Sequence, residues 1–323
     1  MDNMNYVTAV ARIRANENYL LQRADIDRLI TAKTPGDALR VLADKGWNTE
    51  SGDLNGTLRA ENDRLWSLIR ECAPDFGAFS ALIVENDFHN YKAVLKGTVT
   101  GTDYDGLLLS PCITPVSELK KAVSERSFEH LPSYMREAAS EAFDALAHTG
   151  DGQFADIRLD RAMLEATLEL AEGSGEDFMK KLAEIIVAAA DLRIAARGAK
   201  TKKPRQLLEL AIAPCPTLEK QALLAAALQG TDILAEHIEH TPYAEAAAAM
   251  RETAPSLAGL EKWCDNAAVS YAAEYRYDPF GIAALAAFIL SKRNEIKTAR
   301  IVISAKRAGI GEEEIRGHVR KTG

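Results

Sequence analysis

Apolar positions recur every three to four residues through most of the chain, and no stretch holds an alternation of period two for six residues. That pattern predicts helices and argues against a sheet. Three long amphipathic stretches stand out. Phe76–Lys96 sets Phe79, Leu82, Ile83, Phe88 and Leu95 on one side, and Phe178–Arg197 does the same with Leu182, Ile185, Ile186, Ala189 and Leu192. Pro279–Arg307 aligns Ile282, Leu285, Ile289, Ile296 and Ile303. Within this last stretch Gly281–Leu290 is apolar all round, which predicts the middle of a bundle. Lys292–Arg300 is charged, which predicts a segment emerging into solvent. Thr34-Pro35-Gly36-Asp37, Thr114-Pro115 and Thr241-Pro242 read as helix starts. Gly46, Gly97, Gly198 and Gly309 stand where helical patterns stop, and are expected to be left-handed caps.

The three long helices end alike. The first closes with Asp87-Phe88-His89-Asn90-Tyr91-Lys92 and the second with Asp191-Leu192-Arg193 through Arg197-Gly198. The third closes with Arg293-Asn294-Glu295-Ile296-Lys297 and Arg300. Asp87 to Asp191 is 104 positions and Lys92 to Lys297 is 205. A shorter unit, a capped helix followed by an aromatic residue, recurs less regularly at Thr34–Trp47, Thr114–Phe128 and Thr231–Tyr243. A period of about a hundred residues is the size of a small domain, longer than a solenoid repeat. The expected fold is therefore all-α, with three modules related by approximate threefold symmetry: residues 1–110 with the N-terminal helix, 111–215 and 216–323. The connections are short, so the modules should pack as one rigid object.

Composition narrows the function. Of 323 residues 47% are hydrophobic and 27% charged, with a net charge of −8. That is a soluble balance, and it excludes general binding to nucleic acid, which needs a basic surface. Cys72, Cys112, Cys215 and Cys264 form no CxxC pair and have no histidines at zinc-finger spacing, so they are expected to be reduced thiols of a cytoplasmic protein. The first nineteen residues contain Asp2, Arg12, Arg14 and Glu17 and lack the apolar block of a signal peptide. The longest apolar run, Gly281–Leu290, is half of what a membrane span needs, so no insertion of its own is expected.

Little catalytic chemistry is legible. The chain lacks a Gly-x-x-x-x-Gly-Lys-Ser/Thr phosphate loop, a Gly-x-Gly-x-x-Gly turn and a Gly-x-Ser-x-Gly elbow. Asn266, Ser270 and Glu274 would share a helix face, at the spacing of a magnesium motif of helical terpenoid synthases, but the acidic partner motif is absent. His237 and His240 with Glu236 and Glu239 could begin a metal site, or form a polar face at a helix end. Asp103-Tyr104-Asp105-Gly106 opens like a calcium loop, yet its twelfth position is Thr114, so a turn is expected. No cofactor or metal is expected. Asp87, Asn90 and Lys92 form the most motif-like cluster, with Asp191, Arg197, Glu295, Lys297 and Arg300 at related places and Arg12 near the N-terminus. They read either as contacts at a module seam or with a partner, or as a buried network between helices. The basic run Lys200-Thr201-Lys202-Lys203-Pro204-Arg205 reads as a solvated loop, or as a contact for lipid headgroups or acidic protein groups.

Four stretches carry a family resemblance: Tyr6 with Ala11-Arg12-Ile13-Arg14 and Glu17; Asp87 through Lys92; Leu159-Asp160-Arg161-Ala162 leading to Asp191-Leu192; and Asn294 through Ile301 followed by Lys306–Gly309 and Glu312–Ile315. Together they resemble the C subunit of V-type and A-type rotary ATPases, the relative of the eukaryotic d subunit. The middle unit departs from the pattern, because Asp191-Leu192-Arg193-Ile194-Ala195-Ala196 lacks the Asn and Lys of the first. The resemblance implies a funnel-shaped body of three three-helix modules without catalysis of its own. It implies one copy per complex, peripheral on the cytoplasmic face, joining the membrane proteolipid rotor ring to the D and F subunits of the central stalk. The direction of the machine and its choice of H+ or Na+ would lie in other subunits. A stand-alone helical scaffold is the alternative, and a helical metal-dependent enzyme a distant third.

Overall fold

The computed structural model describes residues 6–320. They form an all-helical chain, and among them no strand occurs beyond an isolated bridge between Cys215 and Leu218. In chain order the helices are α1 (Tyr6–Glu17), α2 (Arg23–Thr31), α3 (Pro35–Asp44), α4 (Leu54–Cys72), α5 (Ser80–Thr100), α6 (Val116–Glu125), α7 (Ser133–Asp144) and α8 (Gly152–Gly173). They continue with α9 (Asp177–Thr201), α10 (Arg205–Ala211), α11 (Lys220–Gln229), α12 (Thr231–Glu239) and α13 (Ala244–Glu252). The last three are α14 (Ala258–Glu274), α15 (Ala283–Arg307) and α16 (Glu312–His318). Among the described residues no helix is long and apolar enough to cross a membrane. No disulfide joins any of the four cysteines.

The chain divides into two compact units. One is continuous, Gly77–Leu257; the other is assembled from the described residues up to Phe76 and those from Ala258 onward. In the discontinuous unit α15 is the spine, packed by α1, α2, α3, α4, α14 and α16. Ile282–Leu290 is buried throughout, as its all-round apolar character predicts. Its core joins Leu29, Leu42, Trp47 and Leu58 to Ala299, Val302 and Ile303 of α15. The charged half of α15 does not emerge as its composition suggests. Lys292, Asn294, Glu295 and Thr298 are all buried, with Lys292 paired to Glu295 on its own helix and to Glu61 of α4, while the apolar Ile296 is half-buried.

In the continuous unit α5, α7 and α8 enclose a core of Phe88, Tyr91, Leu95, Met135, Ala139 and Leu159. The Tyr91 hydroxyl donates to the Ala139 carbonyl at 2.7 Å, so this fully buried ring satisfies its polar end. On α9, Ile185 and Ile186 are only half-buried, and Val187 and Ala188 take the inward positions.

The helix punctuation is partly as expected. Thr34 caps α3 by accepting from Asp37 N–H, and Gly46 and Gly309 follow α3 and α15 in the left-handed region. Thr114 caps nothing; its N–H goes to Asp87. Thr241 forms a turn by accepting from Tyr243 N–H. Gly97 and Gly198 are not terminal caps but stand inside α5 and α9. A Cβ on Gly97 would lie 2.1 Å from Tyr104 Cδ1 and 2.9 Å from the Thr102 carbonyl, and one on Gly198 would lie 2.3 Å from Leu208 Cδ2. Both glycines let the returning chain close tightly, and their carbonyls accept from Thr102 N–H (3.0 Å) and Lys203 N–H (2.9 Å). The left-handed residue itself comes four positions later, at Gly101 and at Lys202.

Candidate functional site

The three long helices each bury one carboxylate completely: Asp87 on α5, Asp191 on α9 and Glu295 on α15. They stand 104 positions apart, twice over. Each accepts a hydrogen bond from the backbone of a segment that leads into a short helix. Asp87 receives Ile113 N–H and Thr114 N–H, both at 2.7 Å, just before α6. Asp191 receives Ala213 N–H at 3.0 Å, ahead of α11. Glu295 receives Leu21 N–H at 2.9 Å, just before α2. A buried loop amide needs an acceptor, and an ionisable one fixes the position strongly. The common arrangement is a long helix whose acid anchors the entry to a helical pair.

The surroundings differ. Burial raises the Asp87 carboxyl above its usual range, and Thr114, Ile113 and Tyr134 act against that rise. Asn90, also fully buried, adds a two-way clasp one turn on: its amide donates to the Leu109 carbonyl at 3.0 Å and its carbonyl accepts from Leu109 N–H at 2.7 Å. Burial pushes Asp191 up to about 7, with Ala213 N–H, Lys220 and Arg161 opposing it. Its Oδ2 has no hydrogen-bond partner. Lys220 acts on it only through its charge; its ammonium donates to the carbonyls of Glu209 and Ile212, each at 2.7 Å, where α10 ends. Burial also pushes Glu295 up, and Lys292 opposes it. Lys292 Nζ lies 2.6 Å from Glu295 and 2.5 Å from Glu61. It also stands over the Trp47 ring at 4.9 Å, and Arg64 donates to the same Glu61 Oε1 at 2.7 Å. The two acids and two bases balance, which is the condition for burying such a group.

Of the remaining candidates, Lys92 is half-buried and pairs with Asp160 on α8, and Lys96 on the next turn pairs with Asp156 at 2.7 Å. Lys297 reaches Asp265 on α14 at 2.6 Å. Arg12 is exposed and pairs with Glu71 at 2.9 Å. Arg197 and Arg300 are exposed. Of the candidate residues, Asp87 with Asn90, Asp191 and Glu295 form the three helix-anchoring sites. Asn266 accepts from the Asn294 amide at 3.3 Å, which ties that part of the face shared with Ser270 and Glu274 to α15. Asp103 accepts from Asp105 N–H in a short turn. Among the described residues no group of three His, Cys, Asp or Glu side chains could hold a metal ion.

The model of the ATP synthase (C/AC39) subunit family matches residues 9–318. The chain belongs to that family. Curated relatives agree in name across most of their length. The C subunit of the V-type sodium ATPase of Enterococcus hirae is 24% identical over 83% of this chain and 82% of its own. The C subunit of the A-type ATP synthase of Halorubrum lacusprofundi is 25% identical over 97% and 96%, and that of Methanocaldococcus jannaschii 22% over 98% and 86%. As a member of the C/AC39 family this chain is a component of a membrane-associated ATP synthase-type complex.

Sequence reasoning missed Glu61, Lys292, Lys220 and Lys306. Glu61 and Lys220 lie in segments without local signals. Lys306 caps the end of α2 through the carbonyls of Ile30 and Ala32, both at 2.5 Å, a role visible only once the chain ends meet. The equivalence of Glu295 with the two aspartates is readable, because the same 104-residue step from Asp191 lands on it.

Proposed function

We propose that this protein is the non-catalytic coupler of the rotor, joining the membrane proteolipid ring to the D and F subunits of the central stalk and transmitting torque while ions cross the membrane. In this reading the body comprises three helical modules in a funnel, 1–110, 111–215 and 216–323, present as one copy on the cytoplasmic face. The observation that carries it is the threefold recurrence of a buried acid anchoring a helical pair to a long helix. A torque-bearing part must resist shear between its helices. Close packing and buried hydrogen bonds supply that stiffness without any bound substrate. The exposed members of the candidate set, Arg12, Arg197 and Arg300, are assigned to partner contact. The buried ones, Asp87, Asn90, Asp191 and Glu295, are assigned with Lys92 and Lys297 to the seams.

Reconstitution tests this. Membranes stripped of the protein should still hydrolyse ATP at the catalytic head but no longer pump, and adding the purified chain should restore pumping. The chain should be retained by the proteolipid ring and by the D and F stalk subunits, in single copy by native mass spectrometry, and hydrolyse no ATP alone. Retention by neither partner would sink the coupler and favour a stand-alone scaffold.

A further inference from the structure

Gly77–Leu257 holds 27 acidic and 18 basic residues, whereas the rest of the chain holds 20 and 21. The continuous unit thus carries the whole negative balance of the protein. Against that background, residues 192–208 contain six basic side chains and no acidic one. Arg193, Arg197 and Lys200 follow one another at i, i+4 and i+7 along α9, and Lys202, Lys203 and Arg205 continue around its end.

The apex is stiff. Lys203 N–H closes on the Gly198 carbonyl at 2.9 Å, Gly198 admits Leu208 against the helix, and Pro204 fixes the chain into α10. Lys202 holds φ 52°, a left-handed conformation that the matching turn after α5 gives to Gly101. A lysine is less favourable there than glycine, so the side chain is kept at the expense of the easier backbone. Residues 200–206 are all exposed. The unit's other lysines are mostly spoken for: Lys92, Lys96, Lys120, Lys180 and Lys181 pair with carboxylates, and Lys220 caps α10. Among the described residues Lys200, Lys202 and Lys203 make no ion pair.

We infer that the Lys200–Arg205 apex is an electrostatic docking point for the anionic phospholipid headgroups of a membrane surface. Protein docking patches centre on apolar or aromatic anchors, and residues 200–206 present only Lys, Thr, Pro, Arg and Gln. Polybasic attachment to lipid needs only exposed cations within a Debye length of the headgroups. Three of the four apex cations are lysines, compact hydrated charges on mobile stems that suit a diffuse headgroup layer. Arginine would suit a fixed carboxylate better. Such a contact would steady a peripheral protein at the membrane, but it does not require the rotor reading: a chain that binds vesicles while ignoring ring and stalk would refute that reading and leave this one standing.

The test is vesicle co-sedimentation of the full chain at low salt, with phosphatidylcholine vesicles and with vesicles containing phosphatidylglycerol at about a third. Binding is expected only to the anionic vesicles and should vanish at high salt. K200Q/K202Q/K203Q should weaken it by on the order of 100-fold while leaving the circular dichroism and thermal midpoint unchanged. K120Q/K180Q/K181Q, which removes equal charge elsewhere on the unit, should bind like the parent. Equal binding to neutral vesicles, no binding to anionic ones, or equal loss in both triple variants would overturn the inference. Binding to polyglutamate but not to anionic vesicles would reassign the apex to an acidic polypeptide and equally overturn it.

Discussion

Asp191 and Glu295 occupy equivalent places, and the chain has solved the burial of each differently. Both are fully enclosed on a long helix and both anchor a loop amide. Glu295 lies in a balanced cluster with Lys292, Glu61 and Arg64. Asp191 has one hydrogen bond, one idle oxygen, and cations acting on it only from a distance. The repeat therefore preserves the anchor but not its charge compensation. A carboxylate ionised at Glu295 is held by its neighbours. One at Asp191 is held out of water with little in return, and protonation relieves it.

Removing one partner of the balanced cluster should have the largest effect. Lys292→Met leaves Glu61 and Glu295 buried without their shared cation and should cost about 3–5 kcal/mol in urea unfolding. A triple change that also neutralises both glutamates to glutamine should recover much of the loss, and failure of that rescue would show that shape matters there more than charge.

At Asp191 the effect should depend on pH. The folded group titrates near 7 against 3.8 for an ordinary aspartate, so the folded state holds the extra proton between those limits. Its contribution to stability is fully present below about pH 4, falls as pH rises through 7, and is flat above. Asp191→Asn retains an acceptor for Ala213 N–H and abolishes that dependence. Relative to the parent it should gain on the order of 2–4 kcal/mol between pH 4 and pH 8, read from paired denaturation curves. Parallel curves for variant and parent would show Asp191 to be ionised throughout.

Gly97→Ala and Gly198→Ala probe the anchors' rims. The first meets a ring and a backbone carbonyl, the second only leucine methyls that can turn aside. Losses of about 2 and about 1 kcal/mol are expected in that order, and the reverse order would mean that the turn after α5 gives way more easily than the one after α9. The smallest effect belongs to Arg12→Ala, whose exposed pair with Glu71 should be worth less than about 0.5 kcal/mol. If the variant is stable yet lost from ring or stalk pull-downs, Arg12 is a contact residue.

How much of this is legible in the sequence follows from where each signal resides. Helix periodicity is local, so the all-helical class and the three long helices can be read directly. Asp87 is legible because its motif is compact, and Asp191 because it lies one period on. The burial of the charged half of α15 is hidden, because composition alone cannot distinguish a solvated helix from one whose neighbours bring the opposite charges. Glu61 is 231 positions from Lys292, and nothing near either announces the other. The roles of Gly97 and Gly198 are hidden too, because a glycine that admits a side chain and one that turns the backbone look the same in a sequence.

The bond between Leu21 and Glu295, with Lys306 closing on Ile30 and Ala32, ties together residues 274 to 276 positions apart. During synthesis the ribosome delivers α1–α4 long before their partners on α15. Gly77–Leu257 is complete and free to fold while the first helices still lack most of their core. The nascent chain must therefore carry an unfinished N-terminal quarter until its last helices appear. Truncated products ending before α15 should accordingly present a folded middle and a protease-sensitive beginning.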